Sequence, residues 1–406
     1  MKLAVLIPTR NRAALAINAI DSLLDRQDCD LEVFVSDNSS SEDEVRTLAA
    51  HCRTRSSLRL TCLRPPAALT MGAHWDWAVR QVLARSAASH LTVHYDRKYS
   101  GPGAFGALME VAARHPGLAI TYPVDLVLDQ SPPRLWQSPW SGGTYRMRTA
   151  SVLAWIAAGR VAEMGQTWPI LSNCVVPRAV LETIIARYGN VCDALGPDSR
   201  FAIRFCTLFD AFLHFDRSLA VVYATHRSAG TGFLRGTGGD FADFRESWGD
   251  RAWIDAAPIP GLNLGQNMLF HEYELVRREG AELPPIDRSG YLRELGRGLQ
   301  YVQDSDARSR MRAVLEEHGW RDVASEPPPP SPPARPSLLR SAWRRVRAIR
   351  RSQAVVLFLA DHFGVQPRSV STFSFRDDAE AIRSAIRYPF RLDPNPMLEG
   401  LELERV

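Results

Sequence analysis

Long apolar runs are absent from this 406-residue chain. No stretch of about 18 or more uncharged apolar residues occurs, which argues against a membrane-spanning helix. The longest strictly apolar candidates, residues 152–158 and 354–360, are seven residues each. The opening MKLAVLIPTRNR lacks the long apolar stretch and small-residue cleavage site of a signal peptide, its apolar run ending at Pro8 and Thr9. Cysteine is sparse: six residues, at 29, 52, 62, 174, 192 and 206, form no C-x-x-C pair. That disfavours a disulfide scaffold or a zinc site and fits a reducing cytoplasm. No repeat of roughly 20–50 residues is visible. An excess of one charge is lacking too, except in one place. Net charge is +4, yet residues 331–351 hold seven arginines and no acid, leaving 42 basic against 45 acidic residues elsewhere. The basic character belongs to that segment and says little about nucleic acid for the whole chain.

What is present is an ordinary globular composition, 45% apolar and 23% charged. It is enough for a core and too apolar for wholesale disorder. The length suggests two or three units. The first hundred residues alternate strand and helix. Residues 3–7 are an unbroken apolar run, as in a strand buried on both faces. Ala16, Ile20, Leu23 and Leu24 follow at helical spacing. Strands are expected again at 31–35, 58–63 and 90–95, and helices at about 42–52 and from Gly72 onward. Such βαβ units predict an α/β fold with a doubly wound, mostly parallel sheet. Further on, 120–124 and 219–223 read as strands and 178–188, 199–214, 289–302 and 307–318 as helices. Seven prolines between Pro327 and Pro336 make an extended linker. The expected organisation is a domain over 1–236, a helical and loop extension over 237–325, the linker over 326–336, and a separate C-terminal helical tail over 337–406.

Ligands bind at the carboxyl ends of the strands in such a sheet. Three strand ends carry polar clusters: Pro8-Thr9-Arg10-Asn11-Arg12, Ser36-Asp37-Asn38-Ser39 and His94-Tyr95-Asp96-Arg97-Lys98. Two carboxylates and several cations around one crevice suit an anionic, hydrogen-bonding ligand such as a nucleotide diphosphate. Any one of these loops alone is explained by capping and turn formation; their joint position favours a site. Residues 224–239, with His226, Arg227, Arg235 and five glycines, have the composition of a mobile loop that closes over a diphosphate.

The stretch VLIPTRNRAALAINAIDSLLDRQDCDLEVFVSDNSSSED resembles the opening of family-2 glycosyltransferases, which have the GT-A fold. The resemblance rests on Pro8, Thr9, Asn11 and Arg12, then Ser22-Leu23-Leu24 and Gln27, then Asp37, Asn38 and Ser40, without a gap. MGAHWDWAVRQ and HLTVHYDRKYSGPGAF look like the family's next segment. The resemblance is good over 1–110, fainter to about 235 and absent from the tail. It implies that Pro8, Thr9, Asn11, Arg12 and Asn38 line the donor pocket and that Asp37 accepts a hydrogen bond from the base, typically the N3–H of uracil. It implies that Asp96 begins an acidic D-x-D-type motif for a divalent metal, Mg or Mn, which neutralises the diphosphate. The sequence departs from the family there. Arg97 and Lys98 stand where further aspartates are expected, so either these cations meet the diphosphate themselves or metal binding is weak and the protein is inactive or repurposed. The resemblance also implies a carboxylate base at a helix start, for which Asp198 in Gly196-Pro197-Asp198 is the choice and Asp193 the runner-up. The ordinary alternative for Asp198 is a helix N-cap.

After the linker, Leu338, Leu339, Ala342, Trp343, Val346 and Ile349 lie at helical spacing among the arginines. Such a basic amphipathic helix suits an anionic membrane surface or docking on the main domain, with an RNA-binding arm as a weaker third reading. The resulting expectation is a cytoplasmic glycosyltransferase, at the inner face of the membrane. Its donor is a nucleotide sugar, UDP-linked, and its acceptor a glycan, a lipid-linked molecule or a protein; no nucleic acid is expected. The alternative is a catalytically silent GT-A-like module that binds nucleotide sugar or glycan in a surface-assembly complex. A nucleotidyltransferase would need a glycine- and arginine-rich opening loop, which is lacking.

Overall fold

The computed structural model describes residues 1–25, 29–55, 59–128, 131–228, 230, 232, 254–321, 375–387, 389–391, 395–398, 401 and 403–406. The proline-rich linker and the basic amphipathic helix expected after it lie outside the described residues, as does most of the glycine-rich stretch after Ser228.

The chain begins with β1 (Leu3–Thr9), α1 (Ala13–Leu24), β2 (Leu31–Asp37), α2 (Glu42–Thr54), β3 (Leu60–Leu63), α3 (Met71–Arg85) and β4 (His90–Val93). β1 pairs in parallel with both β2 and β4, and β2 with β3, giving the order β3-β2-β1-β4. Strands alternate their side chains between two faces, and here each face meets helices. Leu3, Val5 and Ile7 pack with Ala16 of α1 and Leu48 of α2. Ala4 and Leu6 pack with Trp75 and Val79 of α3. That double covering explains why the first strand reads as an unbroken apolar run.

The chain continues through β5 (Lys98–Ser100), α4 (Ala104–Arg114), β6 (Ile120–Thr121), β7 (Asp125–Leu128), β8 (Arg134–Trp136), β9 (Thr144–Arg148), α5 (Thr149–Ala157) and α6 (Val161–Met164). Then come β10 (Cys174–Pro177), α7 (Arg178–Tyr188), α8 (Pro197–Leu208), β11 (Ala211–Phe215) and β12 (Ala220–Val222). These extend the main sheet with β10, β6, β11 and β9 in that order beyond β4. β9 and β10 run against the other strands of the sheet. β5, β12, β7 and β8 form a second, smaller sheet. The expected helix over 199–214 is shorter. It stops at Leu208, and the buried run Ala211–Phe215 is a strand between β6 and β9. Apolar residues on every side of 201–215 fit a buried helix and a buried strand equally well.

The extension holds α9 (Gly265–Arg278), α10 (Arg288–Leu299) and α11 (Ser305–Glu317). It has its own core around Phe270, Tyr291, Leu295 and Leu315. It is anchored on α8 by a buried ionic network: Arg200 pairs with Glu272 at 2.5 Å and with Glu279 at 2.9 Å, and Arg204 with Glu279 at 2.7 Å. The C-terminal residues that the structure describes are not a separate tail. α12 (Asp378–Arg387) lays Ala381, Ile382 and Ala385 on Val127, Leu135 and Val221. β13 (Leu403–Arg405) adds an antiparallel edge strand to β9.

Candidate active site

A cavity of about 220 Å³ opens at the carboxyl ends of β1, β2 and β4. Opposite them it is closed by the start of α8 and by Met268 of α9. α8 is set there by packing against α3: a Cβ on Gly72 would sit 2.2 Å from the carbonyl oxygen of Ala194, so only glycine lets the loop before α8 approach α3 so closely. Gly196 N–H then donates to Glu272 at 2.8 Å, tying the same loop to the extension.

Of the residues singled out in the sequence, the cavity brings together Pro8, Thr9, Arg12, Asn38, Asp96, Arg97 and Asp198. Asn11, Asp37, Lys98, His226 and Arg227 are not in its lining. Asn11 adopts a left-handed φ of 54°, a conformation asparagine tolerates. Its amide oxygen accepts from the backbone N–H groups of Ser40 and Ser41 at 3.0 and 3.1 Å, locking the first-strand turn to the second. Asp37 is buried and occupied locally, accepting from Ser39 N–H at 2.9 Å and from Arg64 at 3.3 Å. Arg227 donates to the Asn11 carbonyl at 3.1 Å, and Arg12 donates to the Arg227 carbonyl at 2.6 Å. This short 3-10 turn therefore braces the turn after β1, while His226 within it is exposed.

The Asp96 carboxylate is almost fully buried. It accepts from the Thr9 hydroxyl at 2.8 Å and faces Arg12 Nε at 2.8 Å. For the divalent ion implied by the resemblance, Asp96 offers a single carboxylate that is already engaged. One Asp96 oxygen already takes a hydroxyl and a guanidinium, and cationic Arg97 comes next in the chain. Among the described residues no group of three or more His, Cys, Asp and Glu side chains converges to hold a metal. A magnesium ion is commonly held by one or two carboxylates with waters and substrate phosphates, so at Asp96 the donor itself would have to supply most of the shell. Three guanidinium groups, Arg10, Arg12 and Arg97, line the cavity instead. Arg97 is oriented by a 2.8 Å bond to the Ser228 hydroxyl and lies over the Tyr95 ring.

Asp198 does not cap its helix. Gly196 occupies the N-cap position, Pro197 opens α8, and Asp198 follows in the first turn. Its carboxylate accepts from the Tyr95 hydroxyl at 2.6 Å, from Ser172 N–H at 2.9 Å and from the Ser172 hydroxyl at 3.1 Å. Burial pushes its pKa above the ordinary carboxylate value, while the Tyr95 and Ser172 bonds and nearby Lys98 pull it back down. Lys98 itself is buried, 1% exposed. Its ammonium donates to the Ser172 carbonyl and lies over the rings of Tyr95 and Tyr122. Burial lowers its pKa to about 7. The expectation that Lys98 reaches a diphosphate is therefore corrected: β5 turns its side chain inward, behind the cavity wall. Asp193 is exposed and outside the lining.

Sequence reasoning passed over Tyr95, Ser172, His74, Trp75 and Met268. Tyr95 sits inside the His94–Lys98 cluster, so its neighbours gave a signal. Ser172 gave none, because its bond to Asp198 spans 26 residues of chain. His74 meets the Ser36 hydroxyl at 2.8 Å, and burial lowers its pKa to about 3, so it is neutral in the cavity wall.

Residues 4–85 match the family model described as glycosyl transferase family 2. The matched segment supplies β1, β2 and α3, hence the wall formed by Pro8, Thr9, Arg12, Asn38 and Trp75. The matched family is one of glycosyltransferases, and the fold that surrounds the match is mixed α/β with a large central sheet. No curated protein matches the sequence. Among solved structures, S. aureus TarS is similar at 12% identity with a TM-score of 0.43, over 78% of this chain and 54% of TarS. The chain thus spans about half the length of that structure. S. aureus TarS 1–349 in complex with UDP-GlcNAc is similar at the same 12% identity and TM-score of 0.43, over 78% of this chain and 89% of that one. Likeness this distant carries no statement about substrate.

Proposed function

We propose that the chain transfers a sugar from a UDP-linked donor to a hydroxyl acceptor by direct, inverting displacement, in polysaccharide, glycolipid or protein glycosylation. One observation carries the reading. In a cavity walled by the family-2 segment, three guanidinium groups share the space with a hydrogen-bonded carboxylate at a helix start. The donor diphosphate meets Arg10, Arg12 and Arg97, whose planar donors suit phosphate oxygens. Asp37, outside the cavity lining but next to Asn38 within it, is assigned to the base edge and held in place by Arg64. The acceptor oxygen attacks C1 of the sugar, Asp198 takes its proton, and the bond from C1 to the diphosphate oxygen breaks. The departing charge is met by the guanidinium groups already in place.

A silent nucleotide-sugar or glycan-binding module is favoured over an enzyme only by the single carboxylate at Asp96, where the family uses several. UDP release from a panel of sugar nucleotides, with and without chelator, separates the two. Release that persists in chelator supports the transferase, and tight UDP binding without release from any donor supports the module. No helix of the described residues is long and apolar enough to cross a membrane. The basic stretch from Arg340 to Arg351 is our candidate for contact with an anionic inner membrane face.

A further inference from the structure

Lys98 is a buried cation that the mechanism above leaves unused. It is 1% exposed, and its amine lies 5.1 and 5.5 Å from the centres of the Tyr95 and Tyr122 rings. The amine donates to the carbonyl of Ser172, in the short 3-10 turn Leu171–Asn173 that precedes β10. Ser172 is the residue whose N–H and hydroxyl both reach Asp198. The carbonyl lies on one side of the Ser172 Cα and the N–H on the other, so fixing the first orients the second. Tyr95 closes the loop: its ring lies beneath the amine and its hydroxyl donates to the same carboxylate.

We propose that Lys98 is a positioning residue for the base, holding Ser172 and Tyr95 so that three donors converge on Asp198 and supplying the positive charge that keeps its carboxylate ionised. The inference rests on Asp198 being the base. It gives the lysine at the family's acidic motif a purpose behind the cavity rather than on the diphosphate. The charged and titratable groups facing Lys98 are His94, Tyr95 and Arg97 from β4 and its turn, Tyr122 after β6, and Asp198. Asp198 is faced in addition by Cys192 from the loop before α8. Of these only Lys98 and Arg97 bring positive charge, and Arg97 points to Ser228.

The test is the full chain carrying Lys98→Met, with Lys98→Gln beside it, which keeps a donor for the Ser172 carbonyl without the charge. In Lys98→Met, kcat falls roughly 10–100-fold, while the donor KM stays within about twofold. The acid limb of the kcat profile moves up by about one pH unit, because Asp198 loses a neighbouring positive charge. Lys98→Gln recovers part of kcat but not the acid limb. A normal kcat and pH profile in Lys98→Met overturns the proposal, and so does a loss confined to donor KM, which would place the lysine on the diphosphate. A readout without substrate separates this proposal from the transferase reading. The effect of Asp198→Asn on melting temperature is measured between about pH 4 and 8, once with Lys98 in place and once in the Lys98→Met background. The Asp198-dependent fall in stability with rising pH extends to higher pH in the Lys98→Met background if Lys98 acts on Asp198. An identical fall in both backgrounds overturns the proposal even if no sugar nucleotide is ever turned over.

Discussion

At the scale of single residues, the site is organised by what each charge is paired with. Asp96 is paired with Arg12 and Asp37 with Arg64, whereas Asp198 is held by neutral donors, with a buried lysine bonded to the Ser172 carbonyl behind them. A carboxylate bound by hydroxyl and amide groups keeps its basicity better than one in direct contact with a guanidinium. Asp37→Ala is predicted to weaken UDP binding at least roughly tenfold, as loss of a charge-assisted hydrogen bond worth about 1.5–3 kcal/mol would. Calorimetry with an unchanged UDP affinity would refute its role at the base. Lys98 also makes a stability prediction. Its folded pKa of about 7 lies below its ordinary value, so the unfolded chain binds more protons in between. The lysine's contribution is fully present above about pH 10.4 and is lost as pH falls through about 7. The melting temperature of the parent should therefore rise relative to Lys98→Met across that window; a flat difference would show that the amine is solvated.

At the scale of elements, the placement of Asp198 depends on where α8 begins. Two contacts set that point: the close approach of Gly72 to Ala194 and the bonds from Glu272 to Gly196 N–H and Arg200. Gly72→Ala is predicted to cost roughly 1–3 kcal/mol through forced backbone shifts and to lower turnover by displacing the α8 start. Glu272→Ala should cost about 3–5 kcal/mol, because it strips one partner from a buried ionic network. Thermal unfolding with turnover measured on the surviving folded protein checks both, and a variant with normal stability and normal rate would break the link drawn here. These contacts mark the limit of what the sequence discloses. The apolar run of β1 and the turn residues after β1 and β2 are legible because local patterning dictates them. Asn11 reads as a ligand contact, yet it serves the turn, since both roles ask for the same small amide. β11 reads as helix because a doubly buried strand has no alternation to reveal it. The Tyr95–Asp198 bond joins residues 103 apart in the chain, beyond the reach of any local pattern.

At the scale of the whole molecule, the cavity is assembled from parts distant in sequence. The segment over 4–85 gives one wall, α8 the other, and the extension over 254–321 fixes α8 from outside. The C-terminal residues close the far side of the fold. Phe375 and Ile382 are buried on the small sheet, and Asn395 donates to Asp216 at 2.9 Å. Deleting residues 322–406 should destabilise the protein by at least about 3 kcal/mol, since each such apolar side chain contributes about 1.5–3 kcal/mol when fully buried. A truncated protein with an unchanged melting temperature would show that the C-terminal strand and helix add nothing. The account as a whole stands on Asp198 acting as base in a sugar-transfer site. UDP release from the panel of sugar nucleotides, measured for the parent and for Asp198→Asn alongside their UDP affinities, tests it most directly. The account predicts release by the parent, a roughly 10²–10⁴-fold lower rate in Asp198→Asn, and equal affinity for UDP in both. Equal rates in the two proteins, or loss of UDP binding in the variant, would contradict it.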